Sequence, residues 1–268
     1  MGGVRKKVRH SSRWGKKAPF IQVSYFPYTK RRRKGRNKRF LESSPKQKKL
    51  NDKRSKRYFE SLVRANFGKG DICIHPTYDD EHNPKDENEV KRKFQNFIAR
   101  INYHRRKKGL PKAKWVAVTE IGKQSGRVHH HILMDGALDR DTVESLWRQG
   151  FCNADRLRPD KKHGLSAIIC YLMKDPNGRR KWNSSHGNLV KPWTTVNDRP
   201  HAMSKKRLRS MAELPEDSEA MRQTIERDNP GYALLDVEKE FRDDTATWYF
   251  FARMKLKNPE DAGDAESG

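Results

Sequence analysis

Apolar residues in the middle of the chain recur with the spacing of an α-helix. Between Glu87 and Lys107 they fall three or four residues apart, and Gly109 follows as a terminator. The same spacing occurs over residues 164–174, ahead of Pro176. Two further helices are predicted, one from Pro45 to about residue 65 and one that begins at Asp139 or Asp141 and ends at Gly150.

Other segments have the composition of β-strands. Residues 115–121 are rich in β-branched side chains, and a turn with Gly122 and Gly126 joins them to the stretch GRVHHHILM, residues 126–134. This arrangement predicts an antiparallel hairpin. Shorter strands are predicted at residues 71–76, 151–157, 232–237 and 248–254. We therefore expect an α+β protein in which helices cover an antiparallel sheet.

Charge divides the chain into segments. The 268 residues carry a formal net charge of +26, which predicts a polyanionic partner. Residues 1–57 contain 22 Lys and Arg against two acidic residues, whereas residues 211–268 contain 15 acidic residues against seven basic ones. The predicted segments are a basic N-terminal arm with the start of a helix (1–57), a central domain (58–210), a C-terminal extension that can add a strand pair (211–257) and a disordered acidic tail (258–268).

The partner is expected to be nucleic acid rather than a membrane. No apolar run approaches the roughly 20 residues that span a bilayer, and the N-terminus lacks the apolar core of a signal peptide. Cys73, Cys152 and Cys170 lie far apart, which is typical of a reduced, cytoplasmic protein. A merely solubilising basic tail would have the same composition as a phosphate-binding arm. The residues predicted to contact phosphates are Lys30, Arg31, Arg32, Arg33, Lys34, Arg36, Lys38, Arg39 and Arg127.

Three consecutive histidines in the predicted hairpin suggest a metal site. Side chains alternate along a strand, so His129 and His131 point to one face and His130 to the other. Glu120 lies just before the turn, where its carboxylate can complete a set of two histidines and one carboxylate. The alternatives are a structural histidine pair satisfied by hydrogen bonds and a surface glutamate at a strand end.

A tyrosine and a lysine in the helix predicted over residues 164–174 supply a candidate nucleophile. Tyr171 and Lys174 are three residues apart and are expected on one helix face. A tyrosine hydroxyl has an ordinary pKa of about 10 and needs a nearby cation or base to become nucleophilic. The alternative is a flanking tyrosine beside a solvated lysine. With a metal site, this pair has the components of phosphodiester transesterification.

These segments together resemble the HUH endonucleases, specifically the single-tyrosine rolling-circle replication initiators of small phages, plasmids and related mobile elements. ICIHPTY at residues 72–78 resembles the first motif of the family. His129 and His131 match its two ligand positions, and Tyr171 with Lys174 matches its nucleophile motif. Residues 181–192 resemble the segment that follows.

The sequence departs from the family pattern at two places. His75 and Pro76 interrupt a first motif that is more often hydrophobic and Thr-rich, and His130 occupies a position that is usually hydrophobic. Neither departure removes a proposed ligand or nucleophile. His75 leaves open an additional contact with a metal or a phosphate.

The resemblance implies a palm-like antiparallel sheet with the histidine strand at its centre, and a Mg²⁺ or Mn²⁺ ion. It also implies that the tyrosine nicks single-stranded origin DNA, keeps the 5′ end as a phosphotyrosine and releases a 3′-hydroxyl. The implied partners are single-stranded and origin DNA together with a host helicase and polymerase, because the chain has no helicase-like P-loop. The implied location is the cytoplasm of a bacterial host, where the protein would be associated with DNA.

Three alternatives to this function remain at the level of sequence. A transposase or relaxase uses the same chemistry and differs in which DNA ends are joined. A two-histidine phosphoesterase is suggested only by His75-x-Thr77, and the stretch around His130 has no second motif of that kind. A non-enzymatic, basic DNA-binding protein would have the same charge.

Overall fold

The structure is a computed structural model that describes residues 3–13, 16–28, 45–122, 125–174, 182–199, 203–243 and 246–257. The predicted phosphate-binding run 30–39 and the predicted disordered tail 258–268 lie outside these residues. The strands are β1 (Gly3–His10), β2 (Phe20–Tyr28), β3 (Ile72–Pro76), β4 (Trp115–Ile121), β5 (Val128–Met134), β6 (Cys152–Arg156), β7 (Asn183–Ser184), β8 (Trp193–Asn197), β9 (Tyr232–Arg242) and β10 (Thr247–Leu256). The helices are α1 (Pro45–Asn66), α2 (Glu87–Lys107), α3 (Arg140–Ser145), α4 (Ser166–Leu172), α5 (Lys205–Glu213) and α6 (Glu219–Asp228).

The described residues confirm the α+β class. They contain six helices and two five-stranded sheets whose paired strands are all antiparallel. The chain forms two compact units: a terminal unit made of Met1–Lys49 and Val190–Gly268, and a central unit made of Leu50–Leu189. No described helix has an apolar stretch long enough to cross a membrane. The functional division at residues 57, 210 and 257 stays a prediction.

The sheet of the central unit has the strand order β6-β3-β5-β4-β7, which places the histidine strand in the middle. On one face, α2 packs Phe97 and Ile101 against the sheet residues Ile72 and Ile132. On the other face, α1 and α4 pack against Val118 and Leu133 of the sheet, among other residues. Because both faces are covered, every residue of β5 except the half-buried His129 is buried.

The local signals predicted several elements of this unit correctly. The bounds of α2 and β4 are those predicted, and β4 pairs with β5 as the expected hairpin. At the start of α2, the carboxylate of Asp86 accepts hydrogen bonds from the backbone N–H groups of Asn88 and Glu89, both at 2.8 Å. This side-chain cap explains why the helix begins at Glu87.

Two predicted helices are shorter than expected. α3 starts after Asp139 but ends at Ser145, because Arg148 (φ 57°) and Gly150 (φ 125°) take left-handed backbone conformations that end the helical path. α4 starts only at Ser166, after a tight turn that includes Gly164 (φ 58°). It ends at Leu172, two residues earlier than predicted.

The terminal unit contains strands that were not predicted from the sequence. Its sheet has the order β8-β1-β2-β10-β9, and α5 and α6 bury Leu208 and Ile225 in a core with Val23 and Phe250. The predicted strands near the C-terminus are confirmed as the pair β9 and β10, although both are longer than predicted. Residues assigned to a basic arm instead form β1 and β2, and α5, α6, β7 and β8 were likewise not predicted from the sequence. In β1 (GVRKKVRH) the basic residues concealed the strand pattern, and only Val4 is fully buried.

Candidate active site

The hairpin of β4 and β5 brings together the three predicted metal ligands. Glu120 pairs directly with His129 in the ladder, and Val118 pairs with His131. The Oε2 atom of Glu120 lies 3.5 Å from Nε2 of His129 and 3.4 Å from Nε2 of His131. The ligand atoms of these three residues all lie within 4.8 Å of one another, the only such group of three among the described residues.

The environment of His131 fits a metal ligand. Its Nε2 atom is buried and forms no hydrogen bond among the described residues. Burial lowers the pKa of His131 to about 3, helped by the neighbouring His75 and His129. The ring is therefore neutral near pH 7, which is the form that binds a metal. Two imidazole nitrogens and one carboxylate form a donor set suited to a divalent cation, although the set does not select between Mg²⁺ and Mn²⁺.

His75, for which the sequence allows an additional metal or phosphate contact, lies against His131. Its Nδ1 is 2.8 Å from Nδ1 of His131, and its Nε2 is 3.2 Å from Sγ of Cys73. If His131 carries its proton on Nδ1, it donates to His75 and keeps the lone pair of Nε2 on the side of Glu120. Sequence could not reveal this contact, because it depends on the packing of β3 beside β5.

His130 faces the opposite side of the sheet, as strand alternation predicted. It is 1% exposed, with its Nε2 3.1 Å from the Tyr78 hydroxyl and its Nδ1 2.9 Å from Oγ1 of Thr119. Burial lowers the pKa of His130 to about 3, helped by His129 and His131. This histidine is a buried structural residue that helps to hold β5 in place.

The candidate nucleophile lies in the same cleft as the histidines. The Tyr171 side chain projects from α4, is 52% exposed, and places its ring centroid 5.0 Å from that of His131 and 6.3 Å from that of His75. A cleft of about 520 Å³ is lined by His75, Thr77, the strand 129–131, Ile168 and Tyr171. The tyrosine is therefore both accessible to a substrate and adjacent to a candidate ligand.

Lys174 does not share a helix face with Tyr171, so this part of the sequence prediction was wrong. Because α4 ends at Leu172, Lys174 lies beyond the helix. Its backbone N–H donates to the carbonyl of Tyr171 at 3.2 Å, and its side chain is exposed. This position keeps Lys174 close to Tyr171 along the chain.

Arg127, one of the predicted phosphate contacts, already pairs with a carboxylate. Its Nε and Nη2 atoms donate to the two carboxylate oxygens of Asp80 at 2.9 and 2.8 Å. Both side chains are exposed, so the pair contributes at most about 1 kcal/mol. A phosphate would have to compete with Asp80 for this guanidinium.

The segment of the chain that contains this site matches a known protein family. Residues 73–176 match the model of the family described as Replication-associated protein ORF2/G2P. The matched segment contains Glu120, His129, His131, Tyr171 and Lys174. No curated protein and no solved structure showed significant similarity to the chain.

Proposed function

We propose that this protein nicks single-stranded origin DNA by metal-assisted tyrosine transesterification and thereby initiates rolling-circle replication. The main supporting observation is that Tyr171 shares a cleft with His129 and His131, which form the candidate ligand group together with Glu120. All four residues lie inside a segment that matches a replication-associated family. We further propose that the central unit has the HUH endonuclease fold, in view of its antiparallel sheet with the histidine strand in the middle.

In this proposal, Glu120, His129 and His131 hold a divalent cation. When bound, such an ion polarises the scissile phosphate and offsets its negative charge. Three protein ligands leave coordination positions open for water and phosphate oxygens. His129, which is partly exposed, lies on the accessible side of the group.

The nucleophile in this proposal is the hydroxyl of Tyr171. Its oxygen attacks the phosphorus atom, a new bond forms between them, and the bond from phosphorus to the 3′-oxygen breaks. The proton lost by the tyrosine is balanced by the proton gained by the leaving 3′-oxygen. The energy of the phosphodiester is kept in the tyrosine link, so a later 3′-hydroxyl can reverse the step and rejoin the DNA. We assign Lys174 to holding a phosphate oxygen close to Tyr171.

The positive charge of the chain supports a DNA partner. The basic run at residues 30–39 and Arg127 are proposed to contact backbone phosphates, which carry no sequence information but provide affinity. The origin has to be locally single-stranded for Tyr171 to reach its phosphate. We therefore propose a host helicase and polymerase as partners in replication.

Covalent capture of DNA tests this function. Purified protein is incubated with 5′- or 3′-labelled single-stranded origin DNA and Mn²⁺ or Mg²⁺, and adducts are resolved on a denaturing gel. Wild type is expected to form an adduct with the 5′ end of the downstream fragment, and Tyr171→Phe is expected to form none. The matched control is Tyr103→Phe, which changes a similarly exposed tyrosine on α2. Undiminished adduct in Tyr171→Phe would exclude Tyr171 as the nucleophile.

A further inference from the structure

Three arginines line an open groove of about 680 Å³ on the central unit, beside the outermost strand β6. They are Arg140, Arg156 and Arg158, and the remaining lining residue is Asp155. We refer to these four residues as the arginine groove. None of them belongs to the motifs that form the candidate active site.

Backbone carbonyls hold the guanidinium of Arg156 in place. Its Nη1 donates to the carbonyl oxygens of Gly70 at 2.6 Å and Gly136 at 3.1 Å. A Cβ atom at Gly136 would lie 2.5 Å from this Nη1 and 2.2 Å from the Gly70 oxygen, so the close approach requires glycine. These bonds use Nη1 alone, and a guanidinium carries further N–H donors for an anion.

The acidic residue of the groove does not cancel its positive charge. Asp155 accepts a hydrogen bond from the side-chain amide of Asn153 at 2.7 Å and lies 3.7 Å from Nη1 of Arg140. Arg140 also donates to the carbonyl of Ala154 at 3.3 Å, which restrains its side chain. One engaged carboxylate therefore faces three guanidinium groups, and the groove favours an anion. The planar fork of a guanidinium matches two oxygens of a phosphate.

The groove lies close to the cleft of Tyr171 along the sheet. Asn153 of β6 pairs with His75, which lines the cleft, and Arg156 pairs with Ile72 of the same neighbouring strand. The two pairs are three positions apart along the strand, which corresponds to roughly 10 Å, and this odd spacing directs the Arg156 side chain to the face opposite that of His75. Because β6 is the outermost strand of the sheet, a few nucleotides of extended single strand can pass around this edge from the groove to the cleft.

We propose that the arginine groove binds backbone phosphates of the single-stranded DNA whose scissile phosphate enters the cleft. The choice of DNA as the polyanion rests on the proposed function. Each arginine that neutralises a phosphate releases counterions, so it adds to the salt dependence of binding.

The test measures the affinity of the full chain for a labelled oligothymidylate of about ten nucleotides across a range of salt concentrations. Tyr171→Phe serves as the parent, so that cleavage does not consume the probe. In this parent, Arg158→Gln is expected to reduce the slope of log affinity against log salt by about 0.7. Arg140→Gln provides a second, independent variant. Arg92→Gln is the matched control, since it removes the same charge from a side chain of α2 that is 71% exposed.

A smaller slope in Arg158→Gln and Arg140→Gln, with the slope of Arg92→Gln unchanged, supports the proposal. Equal reductions in all three variants would show a diffuse charge effect and overturn it, as would an unchanged slope in Arg158→Gln. The adduct assay separates this result from the proposed function. If wild type forms the adduct but the salt slope of the groove variants is unchanged, only the proposal of the arginine groove is wrong. If the slope is reduced but wild type forms no adduct, only the proposed nicking activity is wrong.

Discussion

His75 and His131 meet through their Nδ1 atoms at 2.8 Å, while Nε2 of His131 lies 3.4 Å from the carboxylate of Glu120. His131 thus has one nitrogen engaged by a neighbouring side chain and the other directed to the candidate metal site. In metal centres, such a neighbour selects the tautomer and orients the ligand ring. His75, the histidine that interrupts the first motif, is therefore placed to orient the ring of His131.

We predict that His75→Ala weakens metal binding without abolishing it. Loss of an orienting partner of a metal ligand lowers affinity by about 10- to 100-fold. Isothermal titration of the purified protein with Mn²⁺ measures this change without reference to activity. The control is His163→Ala, which removes an exposed histidine ahead of α4. Complete loss of binding would show that His75 is itself a ligand, and unchanged affinity would show that it does not position His131.

Removal of a ligand is expected to have a larger effect. His129→Ala and His131→Ala should abolish both cleavage and metal binding but leave salt-sensitive DNA binding largely intact. In thermal unfolding, Mn²⁺ at a hundred times its Kd should stabilise wild type by about 2.7 kcal/mol, because it binds only the folded state. Neither variant should show this stabilisation. A wild-type shift in either one would remove that histidine from the metal site.

His130→Leu should affect stability rather than chemistry. The substitution leaves the buried hydroxyl of Tyr78 and that of Thr119 without their histidine partner, which costs roughly 1–3 kcal/mol. Urea unfolding is expected to report this loss, while the rate of adduct formation per folded molecule stays near that of wild type. Leu133→Ala, which creates a cavity in the same strand, is a control for general destabilisation. If His130→Leu loses metal binding and Leu133→Ala retains it, the prediction that the His130 side chain has no part in the metal site is wrong.

In the terminal unit, His10 is predicted to make stability depend on pH. Its ring stacks on Trp193 with centroids 3.8 Å apart, and partial burial lowers the pKa of His10. The unfolded chain therefore takes up a proton at a higher pH than the folded chain. The stabilising contribution is present above the ordinary histidine pKa of about 6.5 and declines as the pH falls below it.

His10→Phe keeps a ring at this position but cannot titrate. The free energy of unfolding, measured with urea between about pH 7 and pH 5, should fall less steeply in this variant than in wild type. The exposed His163→Gln should retain the wild-type slope. The same decline in wild type and His10→Phe would contradict the role of His10.

Much of the central unit could be predicted from sequence because its signals are local. The helical spacing of apolar residues located α2, and the hairpin joins β4 to β5 through a short turn, so Glu120 and the histidines had to meet. The strand β1 was missed for the opposite reason, because it pairs with β8 about 190 residues away in sequence and its basic side chains resemble a solvated tail. The strand β2 has no basic residue, and its alternating buried residues Ile21, Val23 and Tyr25 are a local strand signal that the net charge of the surrounding segment obscured.

The alternation that separates His129 and His131 from His130 follows from the sequence alone, because the two-residue period of a strand is a local property of the backbone. The sequence also determines the residue types from which the candidate site is built. Three other relationships required the folded chain: the contact of His75 with His131, the 5.0 Å between the ring centroids of Tyr171 and His131, and the position of Lys174 beyond the end of its helix. These relationships depend on how β3 and α4 pack against β5, and such packing is set by the buried side chains of segments that are distant in sequence.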